Sequence, residues 1–206
     1  MSNELIYPLR MPSIEEVIPE IEKYKIKFQG VKIYGADIIH PNWKTFCGVR
    51  WDYVAIFNRY NESPDSYAHS DSTNPKLTKT WGINFHINGY SLFEHYNHED
   101  VTSFRVAPYA EHFRINAGPT KTYYMPEGVY LVNTHLPHRV VSYQDRISIS
   151  LRCSLMYNVE WNDIVERFKD YIIDQPLSNK IPEYLAEGKG IEPLTTESKS
   201  VVIPFN

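Results

Sequence analysis

Cysteine is scarce: Cys47 and Cys153 are the two in 206 residues. They are too few and too distant in sequence for a disulfide framework or a cysteine-rich zinc site, and they make a reducing, cytoplasmic setting the expectation. An excess of positive charge is missing as well. Lysine and arginine number 21 against 25 acidic residues, for a net charge of −4, and the basic residues are scattered. No basic stripe results, so nucleic acid is not an expected partner. Long apolar runs are also absent; stretches such as "YVAIF" fall far short of the ~20 residues a membrane-crossing helix needs. The opening "MSNELIYPLRMPSIEEV" has neither a basic start with an apolar core nor an arginine-rich, acid-free pattern. It therefore does not read as a targeting segment.

The residues that are present suit one compact domain over residues 1–206, with 42% hydrophobic and 22% charged. Sixteen tyrosines are consistent with strand positions or with cleft linings, where an apolar body and a polar tip are both useful. Near the start, "SIEEVIPEIEKY" has Ser13 and Glu16 at capping-box spacing and an apolar stripe through Ile14, Val17, Ile18 and Ile21. A helical segment over about residues 13–24 is predicted, kinked or broken at Pro19.

From about residue 31 to residue 153 the texture becomes β-rich. Eight strands are predicted in "VKIYGADII", "DYVAIFNRY", "TWGINFHI", "YSLFEHY", "VTSFRVA", "GVYLVNT", "HRVV" and "RISISLRC". Many short strands without long helices between them point to a sandwich or a barrel. The Asn-Gly pair in "INGYS" predicts a hairpin joining "TWGINFHI" to "YSLFEHY". The segment "VAPYAEHFRINAGPTKTYY", residues 106–124, reads as a loop over a pocket or as a rigid connection. A helical extension covers about residues 154–206, with "WNDIVERFKDYII" placing Trp161, Ile164, Val165, Phe168, Ile172 and Ile173 mostly on one face. The polar and then apolar tail after it receives no assignment.

Most of the eight histidines need no special role. His86 alternates within "INFHI" as a core or cleft residue, and His95 and His98 in "FEHYNHED" are expected at the surface. His69 and Asp71 differ. In an extended segment they point the same way, about 6 to 7 Å apart along the backbone, so both can reach one metal ion. Pro64, Asp65 and Ser66 form a turn that leads into them.

A third ligand has to come from another strand, and "NTHLPHRVVSYQDRISISLRC" supplies candidates in His135 and His138. In the same stretch Arg146, Ser148 and Ser150 alternate with Ile147, Ile149 and Leu151, giving one polar and one apolar face. An inward arginine needs an anion, and a carboxylate held bidentately by Arg146 with help from Ser148 would satisfy it. Two histidines and a carboxylate form the triad that leaves open positions on non-haem iron(II). Zinc fits the same ligand types, but a simple zinc hydrolase needs no carboxylate anchor beside its metal, which favours iron.

At these residues the sequence resembles the iron(II)- and 2-oxoglutarate-dependent oxygenase superfamily. The matching pieces are "HSD" for its His-X-Asp, "PHRV" for its distal histidine and "RISIS" for its Arg-X-Ser motif. They stand in the family's order with 66 residues between Asp71 and His138, and the resemblance covers about residues 50–153. It implies a mainly β fold with flanking helices, a double-stranded β-helix (jelly roll, cupin-like). It also implies that His69, Asp71 and His138 bind Fe(II); His135 is left either as a neighbour of the site or as a plain structural residue. Arg146 and Ser148 would bind the distal carboxylate of the co-substrate 2-oxoglutarate, with Asn84 helping to hold it. The implied chemistry uses molecular oxygen to convert 2-oxoglutarate to succinate and carbon dioxide while hydroxylating a small molecule or a peptide side chain. The competing reading is a non-catalytic or degenerate jelly-roll ligand-binding module. In it His69, Asp71 and His138 are surface polar residues and Arg146 meets a protein carboxylate. Neither reading specifies an oligomer.

Overall fold

Pro19 breaks the first amphipathic segment because it lacks an N–H and clashes with the preceding turn. Two one-turn helices result, α1 (Ile14–Val17) and α2 (Ile21–Tyr24), and the Ser13 N–H donates to Glu16 Oε1 at 3.3 Å where the first begins. The computed structural model describes residues 4–25, 30–59, 67–71, 79–107, 110–142, 145–154, 158–175 and 177–180. The predicted turn at Pro64, Asp65 and Ser66 and the tail from residue 181 lie outside them.

The strands in chain order are β1 (Ile6–Pro8), β2 (Gly30–Gly35), β3 (Thr45–Phe46), β4 (Val49–Arg50), β5 (Tyr53–Arg59), β6 (Ala68–Ser70) and β7 (Trp81–Asn88). They continue as β8 (Ser91–His95), β9 (Val101–Ala107), β10 (Ala110–Ile115), β11 (Lys121–Met125), β12 (Gly128–Asn133), β13 (His138–Ser142) and β14 (Arg146–Arg152). They build two large antiparallel sheets. The first has the order β1-β12-β7-β14-β5-β2, the second β11-β8-β13-β6-β10-β9, and β3 and β4 form a separate small pair. The chain is therefore mainly β, as expected. Helix α3 (Trp161–Phe168) follows the last strand, shorter than its apolar stripe because Ile172 leaves it to bridge Leu9. No described helix is long and apolar enough to cross a membrane.

Alternation gives the first sheet two different faces. Ile56, Ile83, Phe85, Ile149 and Leu151 point outward and pack against Ile14, Val17, Ile18, Ile21, Ile164, Val165 and Phe168 of the helices. Each such side chain contributes about 1.5–3 kcal/mol by leaving water. The residues between them in sequence, Asn84 and His86 on β7 and Arg146, Ser148, Ser150 and Arg152 on β14, are also buried. They face the second sheet. The space between the sheets is thus polar there, whereas Ile6, Tyr130 and Val132 meet Phe93, Tyr123 and Met125 to close its other end with an apolar cluster.

Three expectations are corrected. The Asn-Gly pair does not make a hairpin. β7 pairs with β12 and β14, β8 pairs with β11 and β13, and Asn88-Gly89 carries the chain from one sheet to the other. The Asn88 side chain is used elsewhere: its Oδ1 accepts from the Ile147 N–H at 2.8 Å, beside a bulge in β14. Residues 106–124 are not a loop over a pocket but mostly sheet, in β9, β10 and β11, with residues 108–109 outside the described residues. His95 is not at the surface. It is 7% exposed, because β8 has a strand on either side and His95 shares the inner face with Phe93. His98 is exposed, as expected.

Candidate metal centre

His69 lies on β6, a three-residue strand seated between β13 and β10. The sole described pairing of β6 with β13 sets His138 directly opposite His69. Opposed residues of an antiparallel pair project to one face, so the two imidazoles meet, with ring centroids 4.4 Å apart. Asp71 follows two residues later and is fixed by its N–H, which donates to the Thr134 carbonyl at 3.0 Å. One ligand atom from each of His69, Asp71 and His138 lies within 4.8 Å of the others. Asp71 Oδ1 and His69 Nε2 are 3.6 Å apart, near the ~3 Å expected of neighbouring ligands on one ion.

The surroundings of two of these candidate ligands favour metal binding. His138 Nδ1 is 2.9 Å from the Leu136 carbonyl oxygen, which fixes the proton on Nδ1 and leaves Nε2 as the donor atom for a metal. Phe93 stacks on the same ring at 4.8 Å and 11°. Burial, and then the neighbouring His69, push the His138 imidazole down to about 3, so it is neutral and able to ligate at ordinary pH. Desolvation acts to raise the Asp71 carboxyl. The Arg152 guanidinium, both histidines and the Thr134 hydroxyl outweigh it and hold the group at about 2. The donor set is therefore an ionised carboxylate with two imidazoles, which suits a divalent iron or zinc ion.

Arg152 is the residue against this candidate site that sequence reasoning missed. Its Nη2 meets Asp71 Oδ2 at 2.9 Å, its Nη1 donates to Thr134 Oγ1 at 2.9 Å, and its Nε donates to Ser150 Oγ at 2.7 Å. The clamp occupies one carboxylate oxygen and leaves Oδ1 turned toward the histidines. The signal was legible, because Arg152 continues the alternation of Arg146, Ser148 and Ser150 by one more step. Gly82 on β7 makes room for it: a Cβ there would lie 2.8 Å from Arg152 Nε and 2.9 Å from its Cδ.

The other predicted residues sit on the facing sheet. Arg146 is 6% exposed and Ser148 fully buried, on the inner face of β14. The Ser148 hydroxyl has no hydrogen-bond partner among the described residues, which fits a site shaped for a polar ligand. His86 lies opposite Ser148, and burial, followed by the charge of Arg146, holds its pKa well below the ordinary histidine value. Asn84 accepts a 2.5 Å hydrogen bond from Ser150 Oγ, which joins it to the Arg152 and Asp71 chain. His135 is outside the three-ligand group; its N–H donates to Asn133 Oδ1 at 3.1 Å. No protein-family model matches the chain, and no curated protein does.

Proposed function

We propose that this protein is an iron(II)- and 2-oxoglutarate-dependent oxygenase on a double-stranded β-helix. Its substrate is a small molecule or a peptide side chain, and succinate and carbon dioxide are released. The observation that carries the reading is the convergence of His69, Asp71 and His138 opposite the buried Arg146 and Ser148. The strand order supports the fold. β5, β14, β7 and β12 lie together in one sheet and β6, β13, β8 and β11 in the other, so the chain passes repeatedly between the two. That alternation is what a jelly roll requires.

His69, Asp71 and His138 would hold iron(II), which would supply the redox chemistry of C–H oxidation. The chain does the rest. Arg152 keeps Asp71 ionised and oriented, the Leu136 carbonyl holds the His138 tautomer, and Arg146 with Ser148 takes the distal carboxylate of 2-oxoglutarate. The apolar cluster of Phe93, Tyr123 and Met125 excludes water from the far end of the space between the sheets.

The test is optical. Anaerobic addition of iron(II) and 2-oxoglutarate should give a weak visible charge-transfer band that His138→Ala and Asp71→Ala abolish. Arg146→Ala should retain the metal and lose co-substrate affinity. Absence of both the band and iron retention in the unaltered protein would overturn the reading.

A further inference from the structure

The β9–β10 hairpin enters the chain between β8 and β11 and attaches to the edge of β6, the strand that carries His69. Its register sets His112 opposite His69 and Arg105 opposite His112. Paired residues share a face, so His112 stands one strand out from the metal ligand on the side that faces the site. The two rings are 6.4 Å apart. Tyr67 and Phe104 close around His112 with centroids at 4.9 and 6.3 Å, and 6.0 Å from each other. A bulge beside His112 displaces the register of β9 at Phe104, a large ring left 47% exposed.

Among the described residues, the charged groups free to meet a ligand on this shelf are basic. The Arg114 guanidinium lies 5.7 Å from the Phe104 centroid, an arrangement that pre-orients its fork. Neither Arg105 nor Arg114 has an ion pair among the described residues, and Asp71, the acid beside the shelf, is engaged by Arg152. From β6 to β9 is two strand spacings, roughly 10 Å, the span of one aromatic acid.

We propose that this shelf binds the substrate and that the substrate is a free small-molecule carboxylic acid bearing an aromatic ring. The ring lies against Tyr67, Phe104 and His112, and the carboxylate is held by Arg105 and Arg114. This assignment rests on the oxygenase reading for its role, but the binding itself does not need the metal.

The test uses the full chain without metal. Phenylacetate, indole-3-acetate and N-acetylphenylalanine are titrated by saturation-transfer NMR, each beside its amide. At least one acid should bind saturably, its amide at least tenfold more weakly. The Arg105→Gln/Arg114→Gln double variant, altered at two exposed side chains, should also bind it at least tenfold more weakly, and Phe104→Ala should reduce transfer to the ring protons. Added manganese(II) should then broaden the ring signals of the bound acid. No saturable acid, an amide equal to its acid, an unaffected double variant or an unbroadened ring would overturn the proposal. So would a peptide ending in the same aromatic acid that binds tighter than the free acid. Failure of manganese(II) to bind, read separately by EPR, would instead count against the metal site.

Discussion

Asp71 can offer a single oxygen to a metal because Arg152 holds the other. Second partners of this kind typically change metal affinity 10–100-fold when removed. Arg152→Gln is therefore expected to weaken manganese(II) or iron(II) binding by about that factor, measured by titration calorimetry. Arg152→Lys should recover part of the loss, since it restores charge but not the planar fork that reaches Asp71, Thr134 and Ser150 together. Gly82→Ala tests the same clamp without altering any member of it, because the new methyl would press on Arg152 Nε. It should lower metal affinity in the same direction. Wild-type affinity in both Arg152→Gln and Gly82→Ala would show that Asp71 needs no support.

The crossing from β7 to β8 carries each strand into its sheet, and it depends on two adjacent residues. Asn88 bonds to the Ile147 N–H, and its Nδ2 also reaches the Asp145 carbonyl at 3.4 Å. Gly89 adopts a φ of +75°, a region costly for residues with a Cβ. Asn88→Ala is expected to cost about 1–3 kcal/mol by leaving a backbone donor unmade, and Gly89→Ala about 1–2 kcal/mol by strain. Urea unfolding midpoints would check both, and an unchanged midpoint for Asn88→Ala would mean that the turn does not hold β14 in place. On the outer face, Phe168 of α3 packs at 5.9 Å from Trp81 and 6.0 Å from Phe46. Its truncation to Ala should cost about 3–5 kcal/mol in the same assay.

The interior carries several histidines that stay neutral, and this sets how the whole protein responds to acid. Burial, then Lys121 and His98, push His95 down to about 4; burial and Arg146 lower His86; His138 is held at about 3. Unfolded, these groups titrate near 6.5, so over the interval below that value the unfolded chain binds more protons. Stability contributed by their neutral state is complete above about pH 6.5 and is lost progressively as pH falls toward 4 and below. The metal-free protein should show a melting temperature that is level near neutrality and falls steadily from pH 6.5 to pH 4. A flat profile over that range would contradict the buried, neutral state of these rings. Saturating metal at pH 7 should raise the melting temperature, because it binds the folded arrangement alone.

Period-two patterning made the strands and the inward polar row legible, since alternation in sequence reports directly which face of a strand each residue takes. That is why the inward facing of Arg146 and Ser148 could be read from the sequence, and why His69 and Asp71 could be placed on one side of a single segment; the break at Pro19 followed instead from proline's missing N–H. Patterning does not say which strand lies beside which. Pairing depends on contacts between residues far apart in the chain, so the destination of Asn88-Gly89, the burial of His95 and the hairpin attached to β6 were decided by the assembled sheets. β9 was read as a strand, but β10 and β11 were obscured in part because charged residues such as Arg114 and Lys121 occupy their exposed positions. The clamp of Arg152 on Asp71 joins the end of β14 in one sheet to the residue that follows β6 of the other, and nothing local to either position announces the other. His-X-Asp, a distal histidine and an alternating arginine strand were written in the order of residues; their meeting within 4.8 Å arose from the pairing of β6 with β13.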